Sequence, residues 1–153
     1  MNGLIIICAK YLFVVNGLLY LGVFYRTPPE DRRTLVLRTA AALLIALVLA
    51  KGGGALYNEP RPFVTQHIAP LIPHEADNGF PSDHTLLSFT LAFLLVPFCK
   101  RSGVAAVIIG TIVGVSRIAA HLHSPLDIVA SIVIAGIATV GAMQIIKGKG
   151  EGR

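Results

Sequence analysis

Residues 4–24, 34–57, 81–98, 103–120 and 125–146 form five long apolar runs, separated by shorter polar stretches. About 20 apolar residues in a helix cross the hydrocarbon core of a bilayer, where every backbone N–H and C=O must find a partner inside the protein. The runs therefore predict an all-α integral membrane helical bundle of about five transmembrane helices, forming one domain over residues 1–153. Charged residues make up 14% of the chain, against about 25% in a soluble domain. No polar stretch is long enough to fold separately. A signal peptide is a poor reading of the first run, because no basic residue precedes it and no small-residue cleavage site follows at Tyr25-Arg26.

The net charge of +5 does not point to nucleic acid, because the basic residues sit at the ends of apolar runs rather than on one segment. With five spans, the 26–38 and 99–102 loops and the basic, Gly-rich tail (expected to fray) share one side. That side carries Arg26, Arg32, Arg33, Arg38, Lys100, Arg101, Lys147, Lys149 and Arg153, nine of the 13 Lys and Arg. The other side has Lys10, Lys51, Arg61 and Arg117. An excess of Lys and Arg marks the cytoplasmic face, so the expected topology in the plasma membrane is N-terminus outside and C-terminus inside. His67, His74, His84, His121 and His123 then all fall at the outer face. Cys8 and Cys99 are expected near opposite faces, too far apart for a disulfide. Gly52-Gly53-Gly54 should loosen the end of the second run. The Pro-rich segment 58–80 should lie in the interface as a loop or short helix.

Chemistry-bearing residues gather where the runs meet that outer face. They are Glu59-Pro60-Arg61-Pro62, Pro81-Ser82-Asp83-His84, and Ser116-Arg117 followed by His123 and Asp127. Two arginines can hold a phosphate through bidentate, charge-assisted hydrogen bonds. Ser82 stands at a helix start, where free N–H groups favour an anion. His123 and Asp127 are spaced i, i+4, so the carboxylate can take the Nδ1 proton and leave Nε2 as nucleophile. His84 across the site can act as general acid.

These three motifs, in this order and with five residues between Arg117 and His123 and three between His123 and Asp127, resemble the type 2 phosphatidic acid phosphatase superfamily. The wording Glu59-Pro60-Arg61-Pro62-Phe63-Val64, Leu71-Ile72-Pro73-His74 and Phe80-Pro81-Ser82-Asp83-His84 is most similar to its bacterial undecaprenyl-diphosphatase branch, the bacitracin-resistance type. The similarity covers roughly residues 34–146. It implies a phosphohistidine at His123, catalytic His84 and Asp127, phosphate binding by Arg61, Ser82 and Arg117, and no metal or other cofactor; the phosphate site expected for this chain also includes Asp83 and Lys51, where it departs from the family. The expected partner is a lipid phosphate in the bilayer; no oligomeric state follows.

The chain departs from the family pattern twice. The lysine usually found seven residues before the arginine is replaced by Gly54, and either Lys51 or Lys10 can supply the charge. The usual glycine between serine and histidine is Asp83, whose carboxylate should turn away from a bound anion. The expected reaction is hydrolysis of a polyprenyl diphosphate to the monophosphate. The alternative is another lipid phosphate, such as phosphatidylglycerol phosphate, phosphatidic acid or lipid A phosphate. A zinc site is disfavoured by the absence of Cys beside His121 and His123, and a transporter by the absence of a repeat.

Overall fold

The computed structural model describes residues 2–147. Lys149 and Arg153, which entered the charge argument, and most of the tail expected to fray lie outside them. Among the described residues the fold is all helical: α1 (Asn2–Tyr11), α2 (Phe13–Arg26), α3 (Pro29–Leu56), α4 (Pro62–Thr65), α5 (Asp83–Leu95), α6 (Lys100–Ala119) and α7 (Pro125–Ile145). Helices α3, α6 and α7 are each long and apolar enough to cross a membrane. The first run is a bent pair, α1 and α2 meeting at 44°, which makes a fourth span if taken as one.

The third run differs from expectation. Its helix covers only Asp83–Leu95, about 20 Å at 1.5 Å per residue, against a hydrocarbon core about 30 Å thick. The chain turns at 96–98, around Pro97. This short helix is the centre of the bundle, packing against α2, α3, α6 and α7. Glycines 52–54 also depart from expectation, since α3 runs through them to Leu56 without a break. At Gly53 and Gly54 the lack of a side chain serves packing instead. A Cβ on Gly54 would lie 3.1 Å from the Phe80 carbonyl oxygen, so the end of α3 and the 78–80 loop lie almost backbone to backbone.

Small residues set the helix contacts, as expected where lipid supplies no hydrophobic drive for helix association. Ala42, Ala46 and Ala50 on α3 and Ala135, Ala138 and Ala142 on α7 are buried in two clusters shared with α5. On the outside, Val129, Val133, Ile137 and Val140 of α7 and Ile108, Ile112 and Val115 of α6 are exposed. Spacings of three and four place each set on one helix face, where the bilayer would cover it.

Two buried polar side chains fix the frame. Asn16 Nδ2 donates to Ser88 O at 3.3 Å and Ala106 O at 3.1 Å, tying α2 to α5 and α6. Arg38 Nε donates to Ile146 O at 2.9 Å, at the C-terminal end of α7, where a cation suits the helix dipole. The alternation of helices brings the C-terminal ends of α1, α3 and α6 and the N-terminal ends of α5 and α7 to one end of the bundle. The Arg- and Lys-bearing loops lie at the other.

Candidate active site

At the α6–α7 turn, Ser124 caps α7 in a closed box. Its Oγ accepts from Asp127 N at 3.2 Å, and Asp127 Oδ2 accepts from Ser124 N at 2.8 Å. His123 thus precedes the helix rather than sharing its face with Asp127. The capping turn, not helical periodicity, brings the Asp127 carboxylate to the ring. His123 Nδ1 lies 3.3 Å from Asp127 Oδ2, but its shorter partner is the Gly79 carbonyl at 2.8 Å. With two acceptors on that side, Nδ1 carries the proton. Nε2 faces Arg117 Nη2 at 3.1 Å and Arg61 Nη1 at 3.4 Å. Both guanidiniums are donors only, so the Nε2 lone pair points between two cations. Burial and the two arginines push the His123 pKa below the ordinary histidine value, with Asp127 opposing them in part. The ring is therefore neutral near pH 7.

Each arginine is held by the backbone around it. Arg61 takes the extended conformation favoured before a proline. It donates from Nε to Asp77 Oδ1 at 2.7 Å, from Nη1 to Leu122 O at 3.0 Å and from Nη2 to Asn78 O at 3.4 Å. The Arg61 guanidinium holds the Asp77 carboxyl below its usual range. Arg117, in the last turn of α6, donates from Nη1 to Ala9 O at 3.4 Å, while its buried Nε has no protein partner. An unpaired buried donor is costly, and here it belongs to a cation already aimed at the site.

These groups line a cavity of about 450 Å³, and Lys51, His74, Asp77, Asp83 and His84 also border it. Of the two lysines, Lys51 of α3 lines the cavity, whereas Lys10 lies over the Tyr11 ring and does not. Two expectations need revision. Ser82 is fully buried and is not part of the cavity wall. Its Oγ accepts from Thr85 Oγ1 at 3.1 Å and its carbonyl from Ser131 Oγ at 3.0 Å, so it ties α5 to α7. Asp83, expected to turn away, is exposed and borders the cavity at the first turn of α5. His67 and His121 are not part of this wall; both have left-handed backbone, with φ of 54° and 61°.

Gly79 and Asp77 were not singled out by sequence reasoning, and His74 only as an outer-face histidine in the Leu71-Ile72-Pro73-His74 wording. Asn78-Gly79 is a turn signal, but nothing local says that its carbonyl would orient a histidine 44 residues away. A Cβ on Gly79 would meet Asp127 Oδ2 at 3.2 Å and Glu59 O at 3.3 Å, so only glycine lets that carbonyl approach without displacing a neighbour.

A family model described as the PAP2 superfamily matches residues 34–151. The chain is 36% identical over 133 residues to the bacitracin transport permease protein BcrC of Bacillus licheniformis, covering 85% of this chain and 64% of that one. It is 31% identical to undecaprenyl-diphosphatase BcrC of Bacillus subtilis (strain 168), covering 88% and 69%. The chain thus spans about two thirds of the length of these relatives. In fold it is similar to Aquifex aeolicus LpxE, with a TM-score of 0.68, 21% identity and 93% of each chain covered. It is also similar to a PAP2-type phosphatidylglycerolphosphate phosphatase from Bacillus subtilis, with a TM-score of 0.63, 21% identity, and 100% and 78% covered.

Proposed function

Because the chain belongs to the PAP2 superfamily, we propose that it is a membrane lipid phosphatase. In this reading it converts a polyprenyl diphosphate, of the undecaprenyl type, to the monophosphate and inorganic phosphate. The observation that carries the reading is the His123 Nε2 lone pair held between Arg117 and Arg61.

The steps follow from that geometry. The terminal phosphate sits between the guanidiniums, which offset the charge on its equatorial oxygens. The Nε2 lone pair attacks phosphorus while the bond to the bridging oxygen breaks. That oxygen keeps the electron pair and takes a proton from His84, releasing the lipid monophosphate. Gly79 O and Asp127 steady the imidazolium of the phosphohistidine through Nδ1–H. A water then gives a proton to His84 and its oxygen attacks phosphorus. The P–N electron pair returns to Nε2, and inorganic phosphate leaves. The arginines supply the charge stabilisation throughout, so no metal is required.

A diphosphate is favoured over a monoester by what else borders the cavity. Arg61 and Arg117 match one phosphate, while the Lys51 ammonium and the His74 ring border the same cavity and suit a second. The undecaprenyl-diphosphatase relative supports the same choice. The Arg- and Lys-rich end of the bundle opposite the site supports an outer-face site by the positive-inside rule.

The test is phosphate release by the purified protein from undecaprenyl diphosphate, phosphatidylglycerol phosphate, phosphatidic acid and a lipid A phosphate, with and without EDTA. The expected result is preference for the diphosphate, unchanged by EDTA. Preference for a monoester would move the reading to another lipid phosphatase, and loss of activity in EDTA would overturn the metal-free mechanism.

A further inference from the structure

The break between α1 and α2 lies before the segment matched by the family model, yet two of its residues touch the site. The helical ladder is interrupted at Leu12, where Val15 N bonds to Leu12 O at 3.0 Å. The last four carbonyls of a helix lack partners within it, and Ala9 O is one of them at the end of α1. That oxygen accepts from Arg117 Nη1 at 3.4 Å. The guanidinium also lies at the negative end of the α1 dipole. Just past the break, the Phe13 ring meets the His84 ring edge to face, with centroids 4.8 Å apart and planes at 80°. Neither proline nor glycine occupies Lys10-Tyr11-Leu12-Phe13. Tertiary contacts hold the bend instead: Ala9 is buried in a cluster with Ala120 and Leu122, and Asn16 anchors α2 to α5 and α6.

We infer that the α1–α2 break is a positioning element for catalysis, in which the Ala9 carbonyl orients Arg117 and Phe13 holds the His84 ring toward the leaving group. The inference rests on the reading of His84 as general acid. An imidazole free to turn about χ1 and χ2 would spend part of its time away from the bridging oxygen, so losing the Phe13 ring lowers kcat rather than weakening binding. Phe13 also borders an apolar groove between α2 and α5, with Leu87 and Leu91. A competing role in holding the lipid tail must therefore be separable in the test.

The experiment compares Phe13→Leu, Phe13→Ala, Phe13→Tyr and His84→Asn on phosphatidic acid, whose glycerol alkoxide must take a proton as it leaves, and on p-nitrophenyl phosphate, whose phenolate leaves without one. Thermal melts check that each variant is folded. The expected result is that Phe13→Leu and Phe13→Ala lower kcat on the lipid by about tenfold, the scale of an aromatic pair. KM should be little changed, loss on p-nitrophenyl phosphate should stay within about twofold, and Phe13→Tyr should restore the rate. Equal loss on both substrates, or a rise in KM that grows with acyl-chain length, would overturn the positioning role. If His84→Asn is itself unselective between the substrates, the acid assignment falls and this inference with it. If His84→Asn is selective and the Phe13 variants are not, this inference alone falls.

Discussion

The floor and the rim of the cavity are built differently. On the floor, Arg61, Arg117 and His123 are 5%, 4% and 3% exposed, and each is tied to at least one backbone carbonyl. On the rim, Lys51 and Asp83 are exposed, and the Asp77 and His74 side chains are 55% and 30% exposed. Buried charges act at low dielectric and lose little by reorganising during reaction, whereas exposed ones are screened. On the proposed reading, the contrast assigns the floor to the bond that breaks and the rim to choosing what arrives.

Five substitutions would break or sharpen that division. Removing the proposed nucleophile with His123→Ala should cost most, at least about 10³-fold in phosphate release. A variant that kept full activity would end the floor assignment. Arg117→Lys keeps the charge but loses the fork that spans Nε2 and the phosphate. The expected loss is about 10²-fold in kcat, the scale of one preorganised donor, measured at saturating lipid.

Asp127→Asn should be milder, about tenfold, because the Gly79 carbonyl also holds Nδ1; a carboxylate acting as the main orienter can be worth about 10⁴-fold. It should also move the pH profile. The His123 pKa lies below its ordinary value, so activity persists below about pH 6.5 and is lost as pH falls through the lowered pKa. Asp127 raises that pKa, so its removal should shift the acid limb of kcat/KM farther down. A shift upward would contradict the assignment. The smallest effect is expected at the rim. Lys51→Ala and His74→Ala should each lower the preference for diphosphate over monoester by up to about fivefold, as befits partly screened charges. Loss of both activities in equal measure would put these residues on the floor instead.

Much of this was legible beforehand for a local reason. The three motifs fall at the ends of apolar runs, and alternating spans bring alternate run ends to one face, so Arg61, His84, Arg117 and His123 had to be neighbours if the runs were spans. The shared wall of one cavity bears that out. Asp127 was read as the orienter of His123, and it is adjacent, although a cap rather than a shared helix face brings it there. A serine before a helix signals a cap or an anion site, whereas the partners Ser82 has here, Thr85 and Ser131, are set by how α5 packs on α7 and could not be read locally.

The sequence alone determined the helical class, the position of the polar breaks and the set of residues at one end of the bundle. Hydrophobic run length and backbone pairing are properties of a segment and need no partner to be read. Only the tertiary structure decided that α5 is a short central helix, that Lys51 and not Lys10 reaches the cavity, that the Gly79 carbonyl orients the histidine, and that the first helix bends at Leu12. Each of these depends on which surfaces meet across many residues of chain, and close packing chooses among arrangements that local propensity leaves equal.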